Sequence, residues 1–370
     1  MTLSRETGSP LSVLHIDTGM TFRGGQRQLL LLSNRLRDLG LRQVIACPEA
    51  GELYSRVTAV PVIGLPIHPL VRKLHIRPLR RVIKELGINL IHAHDSDGHT
   101  LGILLKSVFP NVKLIVSRRV VFAPSGPISR RLKYRRIVDH FIAISRAVAN
   151  TLTEAGVASN NITVIHSGLD IETIKQIPRD DAVRREMPGD IRFLIASAGA
   201  LTSEKDFETA LKTVEIVLQE VKGVGMVILG EGPERPKLER LIKDRGLDCV
   251  RLLGFREPMA PVFKASDIFL LTSSSEGLNS SAIEAAACGL PLVVSDVGGL
   301  PEIAENGNNG IVCPTGKPEA FAAAIVDLFR DDAKRGRLAA NSLAVAERFD
   351  AGHTARETAA LYERVFGRRP

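Results

Sequence analysis

The sequence contains no tryptophan, and its aromatic residues make up only 4% of the chain. Platforms on which unpaired bases stack are therefore scarce, which argues against a single-stranded nucleic-acid binder. Cysteine is sparse too. Cys47, Cys249, Cys288 and Cys313 stand far apart with no C-x-x-C pair, which favours neither a disulfide framework nor a zinc site and fits a reducing compartment. No run approaches the roughly 18 uninterrupted apolar residues of a membrane-spanning helix. The polar opening, 1–10, lacks the apolar core of a secretion signal, so a soluble intracellular protein is expected. Internal repeats and low-complexity tracts are missing, and a composition 44% hydrophobic and 24% charged is that of a globular chain. At roughly 150 residues per domain, 370 residues favour two domains.

The charge that is present falls unevenly. Residues 1–186 hold 27 Lys and Arg against 15 Asp and Glu, whereas 187–370 hold 22 against 26, so the net +8 divides into +12 and −4. The stretch 113–136 carries eight basic residues and no acid. A solvated helix face accounts for such a run, and so does a surface for lipid headgroups, a phosphorylated acceptor or nucleic acid. The split between the halves supports two domains with different tasks.

Short apolar runs alternate with amphipathic stretches along the whole chain. Residues 12–17 read as a strand, and 26–38 as a helix with Leu29, Leu30, Leu32 and Leu36 on one side. Further strands are expected at 43–47, 60–64, 88–93, 112–117 and 140–144, with helices at 77–86, 98–108 and 146–156. The charged segment 168–190, with Pro178, Pro188 and Gly189, reads as a linker. A second series then places strands at 191–197, 224–230, 249–253, 267–271, 291–294 and 310–313, and helices at 206–221, 234–245, 280–288 and 318–330. Apolar strands alternating with helices indicate parallel sheets covered on both faces, whose ligands bind beyond the carboxyl ends of the strands. The predicted fold class is α/β, two doubly wound domains facing across a cleft.

Three stretches carry candidate chemistry. Between the first strand and first helix lies Gly19-Met-Thr-Phe-Arg-Gly24-Gly25-Gln26, where glycines let backbone amides approach an anion at a helix N-terminus. It is neither a dinucleotide fingerprint nor a P-loop, and many such turns hold glycine for shape alone. The second stretch is Ile91-His92-Ala93-His94-Asp95. Its two histidines point the same way off a strand and could ligate zinc, but no third ligand is in evidence, and the Asp95-Ser96-Asp97 pattern is one that chance supplies. A core or capping role competes with a catalytic one there. The third stretch runs from Ser273 through Glu276-Gly277-Leu278-Asn279-Ser280 and Glu284 to Pro291. Asn279 or Ser280 can cap a helix whose free amides suit phosphate, while carboxylates accept from sugar hydroxyls. Anion grip beside hydroxyl grip suits a nucleotide sugar.

With these residues in view, the chain resembles the family-four retaining glycosyltransferases of the GT-B fold over nearly its whole length. The matching pieces, in order, are Gly24-Gly25, His92-Ala-His94-Asp95, Ala143-Ile-Ser145, Val164 to Asp170, Lys205, Gly230-Glu-Gly232-Pro233, Leu253-Gly254-Phe255, the 276–291 block, Ser295 to Glu302, and Gly310-Ile-Val. The resemblance implies two Rossmann-like domains. An acceptor-side domain would cover 1–175, joined by a C-terminal helix over 350–370, and a donor-binding domain would cover 185–349. It implies His94, Lys205 and Glu276 as catalytic residues. His94 would lie near the anomeric carbon, and Glu276 would approach the donor sugar. Glu284 would hold the ribose, the amides of Leu278 and Asn279 would lie near the diphosphate, and Gly24, Gly25, Gly199, Gly232, Phe255 and Gly277 would complete the donor site.

The family's usual diphosphate-binding arginine is Ala200 here. That leaves Lys205, helix N-termini and an arginine from the first domain to meet the leaving-group charge. Retention by front-face displacement needs neither a metal nor a cofactor. The expected partners are a UDP-, GDP- or ADP-linked sugar and a glycan or lipid-linked acceptor, with no nucleic acid. Such a role fits envelope polysaccharide or lipopolysaccharide synthesis in the cytoplasm, with an anionic membrane surface met through Arg118, Arg119, Arg130, Arg131 and Lys133. A nucleotide-sugar epimerase, a basic nucleic-acid-binding protein and a transferase that binds without turnover are the competing readings.

Overall fold

A computed structural model of the chain describes residues 10–66, 72–121, 134 and 137–367. Its contacts divide the chain into two units, 1–168 together with 351–370, and 169–350. Each unit is one parallel sheet with helices on it, as the alternation of apolar strands and helices requires.

The first unit holds β1 (Ser12–Ile16), β2 (Arg42–Pro48), β3 (Val62–Leu65), β4 (Leu90–Ala93), β5 (Lys113–Arg118), β6 (His140–Ala143) and β7 (Ile162–Val164). Their order across the sheet is β3-β2-β1-β4-β5-β6-β7, all parallel. The order reverses between β1 and β4, so the loops leaving these two strands run to opposite sides and open a crevice at their carboxyl ends. The C-terminal helix Ala351–Gly367 belongs to this unit. Its Ala355, Leu361, Tyr362 and Val365 pack in one core with Val13, Leu36, Leu90, Ile115 and Ile142. The spacing of these four residues is the helical stripe that a sheet face buries.

The second unit holds β8 (Phe193–Ala198), β9 (Val224–Leu229), β10 (Val250–Gly254), β11 (Ile268–Leu271), β12 (Leu292–Ser295) and β13 (Gly310–Cys313) in the order β10-β9-β8-β11-β12-β13. Its reversal lies between β8 and β11. Every residue of β8, β9 and β11 is buried, because helices cover both faces.

The strand Ile162–Val164 and the short helices Glu52–Arg56, Ala260–Lys264 and Leu300–Ile303 add to the elements expected from the sequence, and two larger segments differ from it. The segment 168–190 is not a free linker. It forms the helices Ile171–Gln176 and Ala182–Arg185 and contributes Leu169, Ile171, Ile174 and Met187 to the second core, since its apolar residues recur at helical spacing among the charges. The helix Asp332–Ala346 was not expected either. Its buried positions Leu338, Ser342, Val345 and Ala346 are partly small or polar, so its stripe is faint in the sequence.

Candidate functional site

In the second unit, the loops after β8 and β11 meet at the reversal point. Lys205 ends the short turn Ser203–Lys205, and Asp206 caps the following helix Phe207–Glu220 by accepting from the Thr209 amide at 3.2 Å and its hydroxyl at 2.7 Å. Cross-ties hold this turn to the loop after β11. The Ser274 amide donates to the Glu204 carbonyl at 2.9 Å, and the Thr272 hydroxyl donates to the Asp206 carbonyl at 2.8 Å. So fixed, Lys205 Nζ donates to Glu276 Oε1 at 2.5 Å, where the Ser273 hydroxyl (2.8 Å) and Asn279 Nδ2 (2.9 Å) also converge. Only 17% of the lysine side chain and 7% of the carboxylate side chain are exposed, so this ion pair is largely shielded from water. Asn279 also caps the helix Ser280–Ala287, its Oδ1 accepting from the Ala282 amide at 2.8 Å, which decides between the two capping candidates.

Glycines shape the wall of this crevice. A Cβ on Gly230 would lie 1.9 Å from the Gly199 carbonyl oxygen, and one on Gly298 would lie 1.7 Å from that of Glu276. Both also have positive φ, so only glycine permits these approaches. Gly232 is also tight against Leu201, where a Cβ would meet the carbonyl oxygen at 2.4 Å, and Gly199 lies against the Lys205 methylenes. Gly277 and Leu278 are half-buried in the loop before the capped helix, while Phe255, just past β10, is 70% exposed. Glu284 is buried apart from the Lys205 cluster's hydrogen bonds. Its Oε1 accepts from the amides of Met259 and Ala260, at 3.1 Å each, at the start of the helix Ala260–Lys264. Ala200 is exposed, with no side chain to reach an anion.

In the first unit, the residues leaving β1, β4 and β5 form a second polar cluster. Asp95 proves structural. Oδ1 caps the helix Ser96–Val108 through the Gly98 amide at 2.5 Å, and Oδ2 accepts from the Thr18 amide and hydroxyl at 2.5 and 2.7 Å. Asp17 Oδ1 accepts from the Gly19 amide and from Gln26 Nε2, and a Cβ on Gly19 would lie 2.3 Å from that nitrogen. Gly24 opens the helix Gly24–Asp38 with nothing within reach of an added Cβ, and a Cβ on Gly25 would meet only the Arg119 side chain, at 3.9 Å. The glycine pair therefore leaves room for a ligand, while Gly19 is the glycine the packing needs.

His94 is 4% exposed, and its ring lies 4.0 Å from that of His92. His15 supplies a third histidine, which the sequence reading did not find. The three offer nitrogens within 4.8 Å of one another. Most of these nitrogens are already engaged. His15 Nδ1 and His94 Nε2 lie 3.0 Å apart, His15 Nε2 lies 3.1 Å from Gln43 Oε1, and His92 reaches the Tyr362 hydroxyl at 2.6 Å and the Ser117 hydroxyl at 2.8 Å. Such engagement fits a hydrogen-bonded relay better than a metal's ligand set. Burial pushes the His15 imidazole down to about 4, and burial with the neighbouring His92, His15 and Arg119 holds His94 well below its ordinary value, so these rings are neutral.

Arg119, a candidate for the acceptor or membrane surface, is half-buried, donating through Nη1 to Ser167 Oγ at 3.1 Å, and burial lowers its pKa to about 10 against the opposing pull of Asp17. Arg118 is half-buried beside Tyr134, while Arg130, Arg131 and Lys133 lie outside the described residues. Three buried atoms, Asp17 Oδ2, His94 Nδ1 and Arg119 Nε, have no hydrogen-bond partner among the described residues.

Two parallel-sheet units, each with a polar cluster at its reversal point, define the class of the molecule. The description "Glycosyltransferase Family 4" matches residues 22–173, and "Glycosyl transferases group 1" matches 192–331. The chain is similar to the D-inositol 3-phosphate glycosyltransferase of Corynebacterium kroppenstedtii, at 28% identity over 78% of this chain and 69% of that one. It is similar also to the lipopolysaccharide core biosynthesis glycosyltransferase LpsE of Rhizobium meliloti, at 29% identity over 58% of this chain and 61% of LpsE. Several other relatives are matched over less than two thirds of their length as well. Among solved structures, Anabaena HepE in complex with UDP superposes with a TM-score of 0.85 at 22% identity, over 96% of this chain and all of that one. The chain belongs to the family-four-like glycosyltransferases with the GT-B fold.

Proposed function

We propose that the chain transfers a sugar from a nucleoside-diphosphate donor, with UDP as the first candidate, to a hydroxyl of a glycan or lipid-linked acceptor. In this reading the second unit binds the donor and the first unit reads the acceptor. The single observation that carries it is the cluster of Lys205, Glu276, Ser273 and Asn279 beside the capped helix Ser280–Ala287. Breaking the bond to the anomeric carbon leaves negative charge on the diphosphate, which a pre-placed ammonium and the free amides of a helix N-terminus stabilise without reorganising. Those groups supply positive charge that Ala200 cannot, without calling on a metal. Glu276, held in place by its three donors, accepts from sugar hydroxyls, and the departing phosphate oxygen takes the acceptor proton, so the configuration is retained. HepE, crystallised with UDP and with UDP-glucose, supports UDP as the donor nucleotide, and LpsE supports an acceptor of the lipopolysaccharide kind. Glu284, buried against the Met259 and Ala260 amides, keeps its proposed ribose contact as an additional role of the carboxylate.

A panel of UDP-, GDP- and ADP-sugars tests this by thermal stabilisation, because a ligand that binds only the folded state raises apparent stability. One nucleotide class should raise the melting temperature and, with a lipid-linked acceptor, release its diphosphate. Absence of stabilisation by every donor refutes the proposal, and conversion of the sugar without acceptor favours an epimerase.

A further inference from the structure

Among the described residues, Asp206 is the single non-glycine residue in the left-handed region, at φ 47° and ψ 49°. A Cβ crowds the following carbonyl there, so few side-chain-bearing residues adopt it, and aspartate is tolerated because its short polar side chain bonds locally. Capping a helix does not demand this backbone. Asp95, Ser145 and Asn279 make the same side-chain cap from extended backbone, at φ of −138°, −156° and −96°. What sets Asp206 apart is the residue before it. The turn Ser203–Lys205 passes into the helix Phe207–Glu220 through Asp206 alone. The Lys205 stem then runs along Gly199, where a Cβ would lie 3.4 Å from its methylenes.

Three consecutive residues past β11 set this junction against the carboxylate that Lys205 meets. The Thr272 hydroxyl donates to the Asp206 carbonyl at 2.8 Å, the Ser273 hydroxyl to Glu276 Oε1 at 2.8 Å, and the Ser274 amide to the Glu204 carbonyl at 2.9 Å. Thr272 and Ser273 are buried, so their bonds are shielded from water. The Asp206 carboxylate completes the fixation by accepting from the amide and hydroxyl of Thr209. A strained residue held from so many sides, next to a reacting group, points to function. We propose that Asp206 is a positioning residue, whose left-handed backbone turns Lys205 out of the helix path and aims its ammonium at Glu276. An extended or right-handed residue here would carry the lysine stem off Gly199 and away from the carboxylate. The catalytic consequence rests on the sugar-transfer reading above, whereas the aim of the lysine does not.

The test compares Asp206→Ala and Asp206→Gly with the wild type, each as the full chain. Both variants lose the carboxylate, but glycine enters the left-handed region freely and alanine does not. Pulse acylation of amines, read by mass spectrometry, should label Lys205 several-fold faster in Asp206→Ala and close to the wild-type rate in Asp206→Gly. Turnover of the nucleotide-sugar donor should follow the same order. We expect kcat to fall about 10- to 100-fold in Asp206→Ala with KM little changed, since a misplaced group costs less than a deleted one. Asp206→Gly should recover most of that loss. A merely structural cap would lower the melting temperature of both variants and leave Lys205 labelling and the kcat of the folded chain untouched. If Asp206→Ala fails to fold, Thr272→Val, which frees the Asp206 carbonyl, should raise the labelling in its place. Labelling of Lys205 that matches the wild type in these variants overturns the proposal, as does a glycine variant no better than the alanine one. Labelling as expected, in a chain that no nucleotide sugar stabilises and that turns none over, refutes the sugar-transfer reading and leaves the aim of Lys205 standing.

Discussion

Lys205→Met separates two contributions that the structure attaches to one nitrogen. The lysine donates at 2.5 Å to a Glu276 carboxylate that retains the Ser273 and Asn279 donors on the same oxygen. Removing a charged hydrogen bond costs about 1.5–3 kcal/mol. Stripping one partner from a fully buried ion pair costs about 3–5 kcal/mol, but the remaining donors and the 17% exposure of the lysine argue for the lower range. We therefore expect about 2 kcal/mol of lost stability, which for a unit of this size lowers its melting temperature by about 4–8 °C. The catalytic loss is separate and larger. A fixed donor aimed at developing charge contributes about 2.7–4 kcal/mol, so kcat should fall about 100- to 1,000-fold while donor affinity changes far less. Ala200 sharpens this expectation, since the second unit has no arginine at that point to share the load. Urea and thermal unfolding measure the first quantity, and steady-state turnover of the donor measures the second. A variant as stable as the wild type, or one that keeps more than a third of its kcat, would refute the reasoning.

The remaining predictions draw on geometry and burial elsewhere in the two units. Gly298→Ala must place a Cβ 1.7 Å from the Glu276 carbonyl at a φ of +55°, so beyond the roughly 1–2 kcal/mol of left-handed strain it should displace the Glu276 loop. A lower melting temperature with nucleotide-sugar binding lost is the expected result, and unchanged binding would count against the loop's role. Acid should destabilise the first unit through its histidines. The His15 imidazole, near 6.5 when unfolded and about 4 when buried, makes the unfolded chain bind more protons between those values, so stability is complete above pH 6.5 and falls as pH drops toward 4. His15 alone accounts for about 3 kcal/mol of that loss, with His92 and His94 acting in the same direction. A urea midpoint unchanged between pH 7 and pH 4.5 would contradict it.

The sheets were legible because parallel strands buried on both faces read as apolar runs, as in Phe193–Ala198 and Ile268–Leu271, and the helices between them keep a one-sided stripe. The Glu276 loop was legible because its capping residue, carboxylates and glycine fall within one short stretch of chain. What stayed hidden depends on register. His15 sits alone in an apolar strand, and only the pairing of β1 with β4 sets it directly opposite His92 and within reach of His94. Gln43 lies one strand further on, in a position that reads as an ordinary strand start, and Tyr362 arrives from the far end of the chain. No pattern within a single segment records such meetings, since a strand slipped by one residue would keep its composition and turn these side chains to the other face. Arg119 illustrates the converse. Within a run of basic residues it reads as surface, yet its position at the end of β5 carries it inward toward Ser167 and Asp17, where its charge is partly desolvated. Local sequence thus specified which residues could do chemistry, while the order of strands across each sheet selected the ones that face one another, and it is this second choice that brings His15, His92 and His94 together.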